Sequence, residues 1–319
     1  MANLLDRLGI EFPVVQAGMG GGLAGPELAA AVSEAGGLGT IGILGPAPLE
    51  AEVTAARRLT AKPIAVNLLL PFARAADWQA AGTADVVVTF WGEPVRRTSG
   101  LWIHQCGSVA EAVAARAAGA DAVIAQGREA GGHVRGTTAA LELLERVRAE
   151  LPEFPVLSAG GVATANDVGA RLDAGADAVV AGTRFLMSDE SGAHPEYKRR
   201  LVDSRETILT ELFGAGWPAP HRVVPNAATQ RWLGGDSRGP AWLRTANRLT
   251  APVLGRMPPA LQARMSSTQR PGIPLLGPAA ATAGRGENLV EAGPLYAGES
   301  VARIDDIRPA GEIVRDLVP

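Results

Sequence analysis

The chain has 319 residues, of which 47% are apolar and 20% are charged, and its formal net charge is −3. The composition is typical of a globular protein with a well-buried core, and the length is compatible with one large domain or two. The acidic balance supplies no cationic field, so neither nucleic acid nor an acidic membrane surface is an expected partner.

Cysteine content and segment hydropathy exclude further classes of protein. Cys106 is the single cysteine, which excludes an internal disulfide and a multi-thiolate zinc site, and no ligand spacing for another metal is present. The first residues have no signal-peptide pattern, and no apolar stretch is long enough to span a bilayer. We therefore expect a cytoplasmic protein.

Short apolar runs alternate with Ala-rich helical stretches through the first 190 residues. Most runs are continuously apolar, as in VVVTF and AVIAQ, which is typical of parallel strands covered by helices on both faces. The predicted strands are Pro13–Ala17, Leu38–Ile43, Pro63–Leu69, Asp85–Phe90, Leu101–Cys106, Ala122–Gln126, Pro155–Ala159 and Ala178–Ala181. Eight such units favour an α/β fold of the (β/α)8 TIM-barrel type over an open doubly wound sheet, which usually has about five or six strands.

Helices are predicted between most of these strands. Their ranges are Pro26–Ala35, Leu49–Leu59, Val109–Ala118, Thr138–Glu150 and Ala165–Ala174. The interval Glu93–Gly100 is short, so this crossover is either a short helix or a loop.

The alternation stops after about Phe185. Residues 190–319 contain helical pieces but no strand periodicity, and they lack an obvious core of their own. We predict that residues 1–190 form the cofactor-binding barrel, and that residues 191–319 form the last barrel helix and a helical cap over the substrate. The helical pieces are Glu196–Asp203, Ala241–Leu249, Pro259–Met265 and Pro309–Leu317.

Ligands of such barrels lie over the carboxyl ends of the strands, and four Gly-rich segments fall there: QAGMGGG, QGREAGGH, SAGGV and VAGTRF. The last two follow the seventh and eighth strands, where barrels commonly bind phosphate through backbone N–H groups, and Thr183 adds a hydroxyl donor. The chain has no P-loop and no strand-linked G-x-G-x-x-G, which argues against a nucleoside triphosphate or a Rossmann dinucleotide. We therefore expect a phosphorylated cofactor or substrate lying on the barrel.

His133 is the leading catalytic candidate among four histidines. It ends REAGGH, where Gly131 and Gly132 let the loop lean over the barrel mouth, and an imidazole moves protons readily near neutral pH. A solvated loop histidine is the alternative interpretation. His104 points either into the barrel or towards its outer layer, with Gln105 as its competitor for the inward position.

The other two histidines lie beyond the predicted strands. His194 is expected to help start a helix at Pro195, and His221 reaches the pocket only if its segment PAPHRVVPN folds back.

Two amides and a thiol lie within the predicted strands. Asn67 and Gln126 need hydrogen-bond partners when buried, which a flavin ring, a ligand carbonyl, a water molecule or neighbouring backbone would supply. Cys106 is interpreted as a small core residue rather than a nucleophile. Three aspartates, Asp85, Asp121 and Asp177, precede strands at the amino end, where such residues cap and position turns.

Taken together, these segments resemble the nitronate monooxygenase family, also called nitropropane dioxygenases, whose members are FMN-dependent (β/α)8 barrels. The resemblance includes QAGMGGGLAGPELAAAVSEAGGLGTIG, AVNLLLP, DAVIAQGREAGGHVRG, SAGGVA, AGTRFLMSDESGAHPEYKRR and ELFGAGWPAPHRVVPN. The EAGGH and GTRF segments are shared with related FMN-dependent enoyl-acyl carrier protein reductases.

The resemblance implies a flavoprotein monooxygenase that oxidises alkyl nitronates or nitroalkanes with O2 to a carbonyl compound and nitrite. It implies that His133 abstracts the α-proton of a neutral nitroalkane or orients an anionic nitronate. It places Ala17, Gly18 and Met19 against the flavin, Asn67 and Gln126 at its polar ring edge, Gly131 beside it, and Gly160, Gly161, Ala181, Gly182 and Thr183 at its phosphate.

Two alternative functions stay open at this point. One is an NAD(P)H-dependent FMN reductase of enoyl thioesters or quinones, and the other is a non-redox barrel that binds a phosphorylated ligand. The use of NAD(P)H and assembly into a homo-oligomer are also left open by the sequence.

Overall fold

The computed structural model describes residues 3–44, 47–257, 259–284 and 286–319. The main strands are β1 (Val14–Gln16), β2 (Gly39–Gly42), β3 (Ile64–Leu69), β4 (Val86–Phe90), β5 (Leu101–Cys106), β6 (Ala122–Gln126), β8 (Val156–Ala159) and β9 (Ala178–Ala181), and the two-residue strand β7 (Gly132–His133) lies in the loop between β6 and β8. The eight main strands form one parallel sheet in the order β1-β9-β8-β6-β5-β4-β3-β2. A parallel bridge between Val15 and Leu38 joins β1 to the start of β2 and closes the sheet. The predicted TIM barrel is confirmed, and each main strand lies within its predicted range.

The helix α1 (Leu4–Leu8) precedes the first strand, and the single turn α8 (Thr183–Leu186) follows the last barrel strand. Between the strands, on the outside of the barrel, lie α2 (Pro26–Glu34), α3 (Leu49–Leu59), α4 (Ala75–Ala81), α5 (Val109–Ala117), α6 (Ala140–Glu150) and α7 (Ala165–Asp173). The five predicted crossover helices are confirmed. The connection between β4 and β5 contains no helix in its described residues, so the loop alternative is correct there.

The amino end of the barrel is closed by aspartates and by α1. The Oδ2 atoms of Asp85, Asp121 and Asp177 accept hydrogen bonds at 2.8, 3.0 and 2.8 Å from the N–H groups of Ile64, Trp102 and Val156, near the starts of β3, β5 and β8. These bonds confirm the capping role predicted for the three aspartates. Leu4 and Leu8 of α1 pack into the aliphatic barrel interior from the same end. The carboxyl end is therefore the end at which a ligand of this barrel is expected.

The elements after the barrel include strands as well as helices. They are α9 (Pro195–Val202), β10 (Ile208–Thr210), β11 (His221–Val224), α10 (Ala227–Trp232), α11 (Ala241–Leu254), α12 (Pro259–Ser267), α13 (Glu287–Ala292), β12 (Leu295–Tyr296), a 3-10 helix (Glu299–Arg303) and α14 (Ala310–Asp316). The four predicted helical pieces are confirmed, but the expectation that no strand follows residue 190 is wrong. Strand β11 pairs antiparallel with β10, with β12 and with β7 of the barrel. These strands have two to four residues, which is too short for an alternating pattern to be recognised.

Hydrophobic clusters extend across the predicted domain boundary. Ile313 and Val314 of α14 share a cluster with Val14 and with Leu28 of α2. Leu23, from the loop after β1, shares another cluster with residues of α9 and α13. These clusters contain residues from both sides of residue 190. The division into residues 1–190 and 191–319 stays a prediction.

Candidate active site

His133 is held over the barrel mouth by a hydrogen-bonded loop. Gly132 has φ +70°, a left-handed conformation that favours glycine, and the short strand it begins pairs His133 with His221 of β11. The amide of Gln126 at the end of β6 holds the loop from below. Its Nε2 donates to the His133 carbonyl oxygen at 3.1 Å, and its Oε1 accepts from the Arg135 N–H at 3.3 Å.

The structure thus supports the neighbouring-backbone alternative for Gln126. The side chain uses one amide hydrogen and one oxygen lone pair to position the His133 loop. The other hydrogen and lone pair remain for a ligand, so its predicted position at a flavin ring edge stays a prediction.

The imidazole of His133 lies among aromatic rings. Trp217 stacks on it with ring centroids 3.6 Å apart and an interplanar angle of 21°. Trp91, Tyr296 and His221 surround it at centroid distances of 6.2, 5.6 and 5.4 Å. Its Nε2 atom is buried and has no hydrogen-bond partner within the described chain. An unpartnered buried nitrogen is uncommon in proteins and is a mark of a reactive or ligand-binding group.

Burial fixes the charge state of this imidazole. Loss of hydration lowers the pKa of His133 well below its ordinary value of 6.5, and the neighbouring His221 lowers that pKa further. The side chain is therefore neutral at pH 7 and able to accept a proton.

His221 is neutral for the same reason. Burial lowers the pKa of His221 to about 4. Its Nδ1–H donates to the Ala219 carbonyl oxygen at 2.9 Å, and its Nε2 accepts from the Phe213 N–H at 3.3 Å. Because both ring nitrogens are engaged, His221 supports β11 and leaves His133 as the available base.

The turns after β8 and β9, which we call the cradle, contain the residues predicted to bind a phosphate. Gly160 and Gly161 have φ +109° and +73°, which favour glycine. Their carbonyl oxygens accept from the guanidinium groups of Arg171 and Arg303 at 2.6 and 2.7 Å. The N–H groups of Gly160, Gly161, Gly182 and Thr183 donate to no acceptor in the described parts of the chain. Free N–H groups on two neighbouring turns are a suitable anion site.

Thr183 also connects the cradle to the cap. Its Oγ1 accepts from the Gly298 N–H at 2.9 Å, which leaves the hydroxyl hydrogen available as a donor.

The end of β1 brings the remaining flavin candidates together. The Ala17 N–H donates to the Ala181 carbonyl oxygen at 2.9 Å. Gly18 lies against Asn67 so closely that a Cβ on it would be 2.2 Å from the Asn67 Cβ. Asn67 is buried, and its amide bonds to none of the described residues. Met19 packs between two hydrophobic clusters beside the mouth.

Gly131 contacts the cap. A Cβ on Gly131 would be 2.4 Å from the Gly298 nitrogen, and the neighbouring Glu129 carbonyl oxygen accepts from the Glu299 N–H at 2.9 Å. Its predicted place beside a flavin stays a prediction, and its small size is required for the loop to pack on the cap.

Other polar candidates lie away from the mouth. His104 faces the outer layer, where its Nδ1 lies 2.7 Å from the Thr89 hydroxyl and burial lowers its pKa to about 4. Cys106 is fully buried in the helix-side core, and burial raises the pKa of its thiol, so it is no nucleophile. His194 caps α9 by accepting the Glu196 N–H at 3.1 Å, as predicted.

Sequence reasoning missed Trp91, Trp217 and Tyr296 and left His221 undecided. Trp91 had a recognisable signal, because it directly follows β4 and residues after barrel strands line the mouth. It has φ +64°, a conformation that a bulky residue seldom adopts and that is common at functional sites. Trp217 and Tyr296 reach His133 through the pairing of β11, which no local pattern indicates.

Among the described residues, no group of His, Cys, Asp and Glu is arranged to hold a metal ion. In the same part of the chain, no helix has the length and apolar character needed to cross a bilayer.

The features of the mouth fit a flavin nucleotide. The cradle offers free N–H groups to a phosphate, Asn67 offers an unpaired amide to a ring edge, and the His133 Nε2 is unpartnered. These groups lie on the turns and strand ends of one barrel face, as a flavin with its phosphate requires.

The chain is similar to known proteins along its whole length. The sequence profile of the nitronate monooxygenase family matches residues 2–97 and 93–319. A probable nitronate monooxygenase of Staphylococcus saprophyticus is 35% identical over 66% of this chain and 76% of the relative. A (3aS,4S,5R,7aS)-5-hydroxy-7a-methyl-1-oxo-octahydro-1H-indene-4-carboxyl-CoA dehydrogenase of Mycobacterium tuberculosis is 31% identical over 99% of this chain and 94% of the relative. The structure of FabK from Thermotoga maritima has a TM-score of 0.76 and 31% identity, and the match covers 98% of this chain and 94% of that one.

Proposed function

The chain belongs to the nitronate monooxygenase family of flavin-dependent oxidoreductases, and we propose that it is an FMN-dependent nitronate monooxygenase. The proposed substrates are alkyl nitronates and nitroalkanes, which are oxidised with O2 to a carbonyl compound and nitrite. Membership in a redox family argues against the non-redox barrel considered above.

The observation that supports this proposal most is the state of His133. Its imidazole is neutral, its Nε2 is buried and unpartnered, and aromatic rings surround it. The unpartnered Nε2 gives this imidazole a free position from which to take the α-proton of a nitroalkane, a weak carbon acid. For a nitronate, which has already lost that proton, the protein has to hold and orient the anion.

FMN is the proposed cofactor because the cradle suits one phosphate group. The N–H groups of Gly160, Gly161, Gly182 and Thr183 would bind that phosphate, and Asn67 would bind the polar ring edge. Ala17, Gly18, Met19 and Ala181 would contact the ring or the phosphate from the ends of β1 and β9. A bound flavin supplies the electron acceptor that the side chains of this protein lack.

One cuvette experiment tests the proposal. We expect the purified protein to show flavin absorption bands and to consume O2 when an alkyl nitronate is added. Release of nitrite in proportion to the substrate oxidised is the matching product readout. A protein that binds FMN but consumes no O2 with any nitronate would rule out this activity.

A second candidate function is an NAD(P)H-dependent FMN reductase of enoyl thioesters or quinones. The observation in its favour is the M. tuberculosis relative, which is named as a dehydrogenase of a carboxyl-CoA substrate and aligns with 99% of this chain. Addition of NADPH in the same cuvette separates the two proposals. Rapid loss of the flavin bands with NADPH, without O2 consumption on nitronates, would favour the reductase.

A further inference from the structure

Aromatic side chains of this chain are concentrated around His133. The chain has only six Phe, six Trp and two Tyr, and the barrel interior is aliphatic. Five of them, which we call the aromatic group, are connected by ring contacts beside the imidazole: Phe72, Phe90, Trp91, Trp217 and Tyr296. A substrate that reaches His133 must therefore contact apolar ring surfaces.

Arg135, just after β7, and Arg222, in β11, are each paired with a glutamate. The guanidinium of Arg135 lies 5.3 Å from the Trp91 ring centroid, and its Nε is bonded to Glu111. Arg222 pairs with Glu299 at 3.1 Å and donates to the Arg128 carbonyl oxygen at 2.7 Å. Arg222 is bonded through all three of its nitrogens, and the charge of Arg135 is balanced by Glu111, so neither arginine brings a net positive charge to a substrate carboxylate.

The two other polar rings in contact with the imidazole, His221 and Tyr296, are already hydrogen-bonded. His221 is neutral and bonded at both nitrogens. The Tyr296 hydroxyl donates to the Pro278 carbonyl oxygen at 2.9 Å. A carboxylate placed here would lose its hydration without gaining an unpaired partner from these groups.

Building on the proposed function, we infer that the site selects nitronates whose carbon chain is uncharged and apolar, and that Trp91 and Trp217 determine this selectivity. An alkyl chain gains free energy when its surface is buried against these rings. A chain that ends in a carboxylate is disfavoured by the same surroundings.

Two substrates of the same shape test this selectivity. The nitronate of 3-methyl-1-nitrobutane has an isopropyl group where the nitronate of 3-nitropropionate has a carboxylate. We expect kcat/KM to be at least about tenfold higher for the apolar compound. In the linear series from nitroethane to 1-nitrohexane, kcat/KM should rise by up to about fourfold per methylene until the aromatic surface is covered.

Variants locate the selectivity in the aromatic group. Trp217→Ala and Trp91→Ala should bring the ratio of the two kcat/KM values towards one, and Trp217→Phe should largely keep it. Trp242→Ala is the matched control, because Trp242 is exposed on the cap and contacts Trp232 rather than His133. Titration of the protein fluorescence with 3-methyl-1-nitrobutane, and separately with 3-nitropropionate, gives a binding readout that does not depend on turnover.

The outcomes separate this inference from the proposed function. Equal or better turnover of the carboxylated nitronate, or an unchanged ratio in both alanine variants, would overturn the inference and leave the proposed function intact. If FMN-loaded protein oxidises neither nitronate, the proposed function fails. The fluorescence titration then decides the inference, since equal binding of the two nitroalkanes contradicts it and tighter binding of the apolar one supports it.

Discussion

The chemistry proposed for His133 depends on its surroundings more than on its position in the chain. A histidine on a glycine-rich loop is usually solvated, with a pKa near 6.5. Here Trp217 covers one face of the ring, and burial keeps the imidazole neutral. The EAGGH segment predicted where this residue lies, but the sequence could not predict the stacked indole 84 positions further on.

Replacement of His133 tests its role as a base. We expect His133→Ala to keep FMN and to lose about 10²- to 10⁴-fold in kcat/KM with neutral nitroalkanes, the usual contribution of a general base. Nitronates, already deprotonated, should lose much less. Steady-state O2 consumption with both forms of one substrate measures the difference, and His194→Ala, which alters only a helix cap, is the control. Undiminished activity on the neutral nitroalkane would remove His133 from the mechanism.

At the scale of elements, the site is built from strand ends and the turns that follow them. Regular apolar runs predicted the eight main strands because each is covered on both faces. The strands of the cap were missed because they are short and obtain their hydrogen bonds from partners distant in sequence. The pairing of β11 with β7 connects the cap to His133, and it also explains how the segment around His221 folds back onto the barrel.

A substitution at Gly18 tests the contact between the ends of β1 and β3. In Gly18→Ala the added Cβ would be 2.2 Å from the Asn67 Cβ. We expect this overpacking to destabilise the protein by about 1–3 kcal/mol, as is usual in a well-packed interior. Displacement of Asn67 should also weaken FMN retention, measured by equilibrium dialysis beside urea unfolding. Gly234→Ala is the control, since a Cβ there meets no atom within 4 Å. Wild-type stability and FMN affinity in Gly18→Ala would show that this contact is unimportant.

At the scale of the whole molecule, buried titratable groups make stability depend on pH. The pKa values of His104, His133 and His221 lie below the ordinary value of 6.5 in the folded protein. Their stabilising contribution to the free energy of unfolding is therefore fully present above pH 6.5 and is lost as the pH falls. Burial raises the pKa of Glu52 from 4.5 to about 7. In the same pH range Glu52 therefore has the opposite effect, because it stabilises the folded protein as the pH falls.

On unfolding between pH 6.5 and pH 4.5, His104 and His221 each take up a proton and Glu52 releases one, so we predict a net uptake of at least about one proton. The free energy of unfolding should fall with decreasing pH by at least about 1.4 kcal/mol per pH unit in this range, and the lowered pKa of His133 makes the fall steeper. Urea unfolding at a series of pH values measures this slope. A free energy of unfolding that is constant from pH 7 to pH 5 would show that these histidines are not buried in neutral form.

In the proposed activity, a flavin bound at this barrel mouth would accept electrons from a nitronate. The most direct test is anaerobic rapid mixing of the FMN-loaded protein with the nitronate of 3-methyl-1-nitrobutane, followed at the flavin absorption bands. We predict that the bands change within the turnover time with the nitronate and far more slowly with NADPH. Fast bleaching by NADPH with no response to the nitronate would show that this protein is not a nitronate monooxygenase.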